Sequence, residues 1–360
     1  MATVPSTGIV KFSNLRDVFT DTNPVKFSDY YVNAAAGLTA GVSGIPSTGT
    51  IIKVSQFRGK SKPGALYAFT SHTFTNASAT GRAGPTLSQC RTAYTGVSWA
   101  QDSTNNWLNQ PVGFQGIQVW TVPATGNYTI VAKGASGGLG GSVTQARGAK
   151  ITGTFSLTQG EKIMILVGQL GGNDSDSPGG GGGTFVVKGQ TPTNAVVNDI
   201  LVIAGGGGGG STTTGTANTS AGHGQNGASG GSTANYTGGS GGNAGPPNTD
   251  STGNSTGGAG FLASGTLTNL CKGFVQGGVG GNKSVGFGGF GGGGYGGDIT
   301  SSSDFDRGGG GGYSGGGASF VGTETHAGGG GSYNSGTSQT LLGGGSHAEG
   351  GHGYVTITKL

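Results

Sequence analysis

Apolar and polar residues alternate over short stretches between residues 116 and 204, the period of two that marks strands with one face toward a core. Gly116-Ile117-Gln118-Val119-Trp120-Thr121-Val122 runs into a turn at Pro123-Ala124-Thr125-Gly126 and returns as Asn127-Tyr128-Thr129-Ile130-Val131-Ala132. Residues 150–157 and 162–168 follow as strands separated by Gln159-Gly160, and residues 184–188 and 199–204 complete the set. Short strands at regular spacing with turn signals between them predict a β-sandwich over residues 64–204. No helical periodicity of useful length competes with that reading.

Before the sandwich, residues 1–63 repeat themselves. Val4-Pro5-Ser6-Thr7-Gly8 leads into Ile9-Val10-Lys11-Phe12-Ser13-Asn14-Leu15-Arg16, and Ile45-Pro46-Ser47-Thr48-Gly49 leads into Ile51-Ile52-Lys53-Val54-Ser55-Gln56-Phe57-Arg58. Between them, Pro24-Val25-Lys26-Phe27-Ser28-Asp29-Tyr30-Tyr31 restates the core of the unit. Units this short bury no core alone, so they are expected to fold against one another or a partner. Phe12, Leu15, Arg16, Phe27, Tyr30, Tyr31, Phe57 and Arg58 are the candidate anchoring residues of this arm.

After residue 204 the pattern gives way to glycine: Gly205 to Gly210, Gly291 to Gly294, Gly308 to Gly312, Gly328 to Gly331 and Gly343 to Gly345. Gly and Pro exceed a quarter of the 360 residues without a triplet period, which by itself suggests low complexity. Disorder, however, goes with high charge and few aromatics, whereas here 9% of residues are charged and 15 Phe, 10 Tyr and 3 Trp are present. Extended glycine chains approach until backbones touch, donating N–H groups sideways. Residues 205–351 are therefore expected to form a packed bundle of polyglycine II helices, with Phe290, Tyr295, Tyr313, Phe320 and Tyr333 covering it or filling its junction with the sandwich. Residues 352–360, ending Tyr354-Val355-Thr356-Ile357-Thr358-Lys359-Leu360, read as a strand that returns to the sandwich and closes the insertion.

The net charge of +4 comes from 18 Lys+Arg against 14 Asp+Glu, with no basic cluster of the kind that binds nucleic acid. No apolar run reaches the ~18 residues of a membrane span, and the N-terminal residues lack the apolar core of a secretory signal. Cys90 and Cys271 lie far apart in different types of sequence, so two free thiols are expected, with a disulfide left open.

Several segments together resemble a known domain. Thr73-Phe74-Thr75, Gly81-Arg82-Ala83-Gly84-Pro85-Thr86-Leu87-Ser88-Gln89-Cys90, residues 116–126, Gly134-Ala135-Ser136-Gly137-Gly138, Ile165-Leu166-Val167-Gly168-Gln169, Leu201 to Gly208 and Gly350-Gly351-His352-Gly353 resemble the glycine-rich extracellular domain of the anaplastic lymphoma kinase receptor family. The resemblance runs over residues 66–360. It implies an all-β fold: a tumour-necrosis-factor-like, or jelly-roll, β-sandwich with a large inserted polyglycine II helix bundle, here behind a small N-terminal attachment arm. The chain departs from the family in lacking a kinase, a transmembrane segment, a growth-factor-like module and a signal peptide, so receptor signalling is not carried over. Asn76 stands where the family has a cysteine, which removes the partner the resemblance implies for Cys90. The arm resembles the opening of virion proteins of tailed phages and large algal viruses.

Chemistry is sparse. Glycine tracts match nucleotide-binding fingerprints by chance, and Gly277 to Ser284 is followed by no helix pattern. His223, His326, His347 and His352 are expected as solvated loop histidines without ligand partners, and residues 173–178 as a polar turn rather than a calcium loop. No catalytic, cofactor or metal site is expected. The candidate receptor-binding loop is the charged interruption of the glycine array: Tyr295, Asp298, Asp304, Phe305, Asp306, Arg307 and Tyr313. The reading is a non-enzymatic virion surface protein, tail-fibre tip or adhesin, made in the host cytoplasm; an extracellular module and a structural fibre or capsid-decoration protein are the alternatives. Its partners would be other virion proteins through the arm and a host glycan or protein receptor, with homo-oligomers compatible and nucleic acid and membrane insertion excluded. Replacing Gly293 with Val is expected to lower the thermal unfolding temperature, because packed backbones leave no space for a side chain; an unchanged midpoint would contradict the packed array.

Overall fold

A computed structural model describes residues 64–141, 143–211, 219–249, 254–266, 271–283, 286–297, 306–319 and 325–360. The anchoring residues Phe12, Leu15, Arg16, Phe27, Tyr30, Tyr31, Phe57 and Arg58 lie outside the described residues, as do Asp298, Asp304 and Phe305 of the candidate loop and Phe320 of the bundle aromatics.

The strands are β1 (Ser71–Phe74), β2 (Leu108–Asn109), β3 (Ile117–Thr121), β4 (Gly126–Lys133), β5 (Leu139–Gly140), β6 (Lys150–Leu157) and β7 (Lys162–Leu166), then β8 (Thr184–Lys188), β9 (Ile200–Ala204), β10 (Gly210–Ser211), β11 (Tyr333–Asn334), β12 (Thr337–Leu342) and β13 (Tyr354–Lys359). They form a five-stranded sheet in the order β1-β13-β4-β6-β12, a six-stranded sheet in the order β11-β9-β8-β7-β3-β2, and a short β10-β5 pair. The two large sheets are antiparallel throughout. The fold is thus the all-β sandwich, and the terminal strand returns as expected: β13 lies between β1 and β4.

Side-chain alternation explains how the layers stack. Phe74, Tyr128, Ile130, Ile151, Phe155, Val355 and Ile357 from the five-stranded sheet share one core with Trp120, Ile163, Ile165, Val186 and Val202 from the six-stranded sheet. Trp120 and Tyr128 meet edge-on across that core at 5.9 Å, an arrangement that contributes about 0.5–1.5 kcal/mol beyond area burial. The opposite face of the six-stranded sheet carries Ile117, Val119, Met164, Leu166, Phe185, Val187 and Ile203, and these pack on Phe261, Phe274, Phe290 and Tyr313 of the glycine-rich part. A sheet covered on both faces leaves few positions to polar residues, which is why Ile163-Met164-Ile165-Leu166 reads as a continuous apolar run.

Beyond those aromatics lies an array held by main-chain hydrogen bonds. Within Gly205 to Gly210, Gly206 and Gly209 donate to Gly311 and Gly308, while Gly207 and Gly210 donate to Ala135 and Gly138, at 2.8–3.1 Å. Within Gly308 to Gly312, Gly308 and Gly311 donate to Pro178 and Gly181, Gly309 and Gly312 donate to Thr256 and Ala259, and Gly310 donates to Gly328, at 2.9–3.2 Å. Each neighbour is therefore met again every third residue, the recurrence that a threefold extended chain without internal hydrogen bonds produces. A Cβ built on Gly310 would run into the carbonyl of Gly206 and stand 2.9 Å from the nitrogen of Gly330.

Two expectations change. The boundary at residue 204 does not separate the modules: residues 134–138 and 169–183 join the glycine array from the sandwich side, while β11 and β12 return from the glycine-rich side to the sheets. Helical structure is also present, because Leu87–Ala93 is a seven-residue helix. It is started by a capping box in which the Thr86 hydroxyl accepts the Gln89 N–H at 3.2 Å and the Gln89 amide oxygen accepts the Thr86 N–H at 2.8 Å. The signal was legible as Thr-x-x-Gln, but about two helical turns leave little periodicity to detect.

Substituting Gly310 with Ala is expected to destabilise the protein by about 1–3 kcal/mol or more, since the obstructing atoms are backbone. Gly96→Ala, where a Cβ meets nothing within 4 Å, serves as the control and should unfold at the wild-type denaturant midpoint. Equal midpoints for the two variants would contradict the close approach.

Candidate functional site

The charged interruption of the array does not form an exposed loop where it is described. Arg307 is 0% and Asp306 1% exposed, and Tyr295 and Tyr313 are 3% and 7% exposed. Arg307 pairs with Ser319 as an isolated antiparallel bridge, and its guanidinium Nη1 donates to the Ser319 hydroxyl at 3.2 Å. The Asp306 carboxylate accepts the Asn248 side-chain amide at 3.0 Å, and the Asn248 oxygen accepts the Tyr236 hydroxyl at 2.6 Å. Buried charges require such partners, and here they tie three separate segments of the array together. Tyr295 lies under the Lys283 ammonium at 5.5 Å, and the Tyr313 ring packs on Tyr333 at 4.8 Å. The expectation that these four side chains are displayed to a receptor is therefore corrected: they are internal struts.

The exposed side of the five-stranded sheet is organised by register. Ser71, Thr358, Thr129, Thr154 and Thr337 form one rank across its strands, and Thr73, Thr356, Val131, Thr152 and Thr340 form the next. All of them are exposed or half-buried. Strand geometry sets these positions about 4.8 Å apart across the sheet and about 6.8 Å apart along it. The ranks carry no charge. Branching at Cβ stiffens most of these side chains, and neighbouring hydroxyls hold one another: Ser71 with Thr358 at 2.8 Å and Thr73 with Thr356 at 2.9 Å. At the border of this face, the salt bridge between Lys150 and Glu349 is joined by the Tyr354 hydroxyl, which donates to Glu349 at 2.8 Å.

The histidines are the second correction, because His223 and His326 are buried rather than solvated. The His223 Nδ1 accepts the main-chain N–H of Arg147 at 2.9 Å. His326 Nε2 lies 2.8 Å from the Thr144 carbonyl, and His347 Nε2 lies 3.0 Å from that of Gly148. Burial pushes the His223 pKa down to about 4, assisted by the nearby Arg147, His326 and His347. His326 and His347 are likewise held below the usual histidine range, mainly by burial. Among the sequence signals, only the placement of these histidines in glycine-rich stretches marked them, and it does not distinguish a clamped ring from a solvated one.

Other reactive groups are quiet. Cys90 and Cys271 are free and buried, with burial pushing their thiols up to about 12 and about 11. Asn76, in place of the family's cysteine, closes its own turn by donating to the Ala79 carbonyl at 2.6 Å. Among the described residues no group of three or more His, Cys, Asp or Glu side chains is placed to hold a metal ion, and no helix is long and apolar enough to cross a membrane.

Because Asp306 and Arg307 are internal, Asp306→Ala and Arg307→Ala are each expected to lower stability by about 1–3 kcal/mol, the cost of depriving buried polar groups of partners. Denaturant unfolding of the single variants measures this. Wild-type stability in both would contradict the strut assignment.

No protein-family profile matches the chain. A segment of 100 residues, 27% of the chain, is 41% identical to the leukocyte tyrosine kinase receptor of Mus musculus and covers 11% of that protein. The chain thus spans only a small part of this relative's length. The similarity supports the resemblance to the glycine-rich domain of the anaplastic lymphoma kinase receptor family.

Proposed function

We propose that the chain is a non-enzymatic display protein of a virion surface, of tail-fibre-tip or adhesin type, in which left-handed polyglycine II helices form a stiff scaffold on a β-sandwich hub. The observation that carries this reading is the main-chain array itself, in which run after run of glycine is bonded laterally to neighbours from distant parts of the chain. Such an array offers rigidity and a fixed shape but no side chains for chemistry. The similarity to a receptor's glycine-rich segment supports an extracellular type of setting, and the repeated arm over residues 1–63 supports attachment to other virion proteins. The described surface best suited to a host glycan or protein is the uncharged hydroxyl face, whose ranks include Thr129, Thr154 and Thr358.

A second reading makes the chain a structural fibre or capsid-decoration protein, with the array as a spacer or assembly contact. The burial of Tyr295, Asp306, Arg307 and Tyr313 favours it, since these residues are withdrawn from display. The adhesin reading predicts that purified protein blocks adsorption of virus to host cells and that Thr129→Lys with Thr154→Lys removes the block without lowering the unfolding temperature. Undiminished adsorption, together with ordered self-assembly of the protein, would reject it in favour of the structural role.

A further inference from the structure

Residues 144–149 form the return half of the excursion between β4 and β6, and they lie along the edge of the glycine array. Main-chain bonds attach them: Gly137 N–H to the Ala146 carbonyl at 2.9 Å, Ala149 N–H to Gly205 at 2.8 Å, and Gly224 N–H to Arg147 at 2.8 Å. Three histidines from three separate segments grip the same stretch, His326 at Thr144, His223 at Arg147 and His347 at Gly148. The Arg147 side chain adds a bond from Nε to the Gly344 carbonyl at 2.9 Å.

The partners dictate the ring tautomers. His223 receives a main-chain N–H at Nδ1, so its proton sits on Nε2. His347 also receives a main-chain N–H at Nδ1, from Glu349 at 3.2 Å, and directs Nε2 at a carbonyl. A second proton on either ring would therefore set N–H against N–H. His326 differs, because its Nδ1 faces the Thr325 hydroxyl at 2.8 Å, which is able to reverse its role.

We propose that His223 is the pin of an acid-released clasp: a proton taken up at Nδ1 expels the Arg147 amide and frees residues 144–149 from the glycine array while the two sheets stay paired. The groups acting on His223 are the Arg147 guanidinium and the rings of His326 and His347. None of them is acidic; the one opposing influence, the main-chain contact with Arg147, is outweighed by burial and by the charges of Arg147 and His326. His347 in turn faces Glu349, Lys133 and Arg147, and His326 faces Arg307. The sign follows from linkage. The folded value, about 4, lies below the ordinary 6.5, so the clasp contributes fully above about pH 6.5 and is lost as pH falls toward 4. A clasped ring at about 4 and a released ring at 6.5 make release about fifty-fold more favourable at pH 4.5 than at pH 7.

Hydrogen exchange on the full chain, corrected for the intrinsic pH dependence, tests this. Protection of residues 143–149 is expected to fall about fifty-fold between pH 7 and 4.5, with β4 and β13 still protected. His223→Asn supplies an acceptor oxygen that takes up no proton, and should abolish this fall. Unchanged protection of residues 143–149 in the wild type would overturn the proposal. So would a loss shared with β4 and β13, which reports unfolding of the whole domain, or an equal fall in His223→Asn.

Discussion

Each glycine in the array brings one main-chain donor and one acceptor to a place where no side chain stands ready to replace a lost partner. Ordering glycine is costly, because its unfolded state is the least restricted of any residue, and a single extended glycine strand has no means of offsetting that cost. The array offsets it collectively. Gly206, Gly309 and Gly330 each donate to a different neighbour, so every run depends on the runs around it. Absence of Cβ is what lets the carbonyl of one chain reach the N–H of the next on all sides. The rest of the molecule is arranged to keep those chains in register.

The sandwich supplies that register in two ways. Its strands enter and leave the array directly: β4 continues into residues 134–138, β9 into Gly205 to Gly210, and β13 closes the chain beside β4. Its six-stranded sheet also presents an apolar face to which Phe261, Phe274 and Phe290 are fastened, with Phe274 stacked on Phe185 at 5.2 Å. Burying an aromatic side chain contributes about 1.5–3 kcal/mol, so a few rings fasten the array firmly to the hub. The buried Asp306 and Arg307 then tie further segments together, through Asn248 and Ser319. The charges of Asp306 and Arg307 serve as internal bracing, and the two outward-facing ranks of the five-stranded sheet are neutral.

Much of this was legible in the primary structure. Strands β3, β4, β6 and β13 follow from alternation and turn residues, and β7, β8 and β9, in the sheet covered on both faces, follow from short apolar runs bounded by turns. β12 was not legible, because Thr337-Ser338-Gln339-Thr340-Leu341 is an exposed edge whose pairing with β6 leaves no apolar stripe. The charged interruption was misread for a physical reason: Asp306 and Arg307 between glycines look like a solvated tip, yet glycine neighbours also let other backbones close over a long side chain. The clamped histidines were hidden for the same reason, because the residues that bury them are distant glycines. The hydroxyl ranks required the register between strands, which no single stretch of sequence carries.

Hydrogen exchange of the glycine amides tests the central claim most directly. The account predicts that residues 205–210, 308–312 and 328–331 are protected at neutral pH to the same degree as β4 and β6, and that they lose protection together. Exchange of these amides at the rate of an unstructured peptide, with β4 and β6 still protected, would contradict a bonded array.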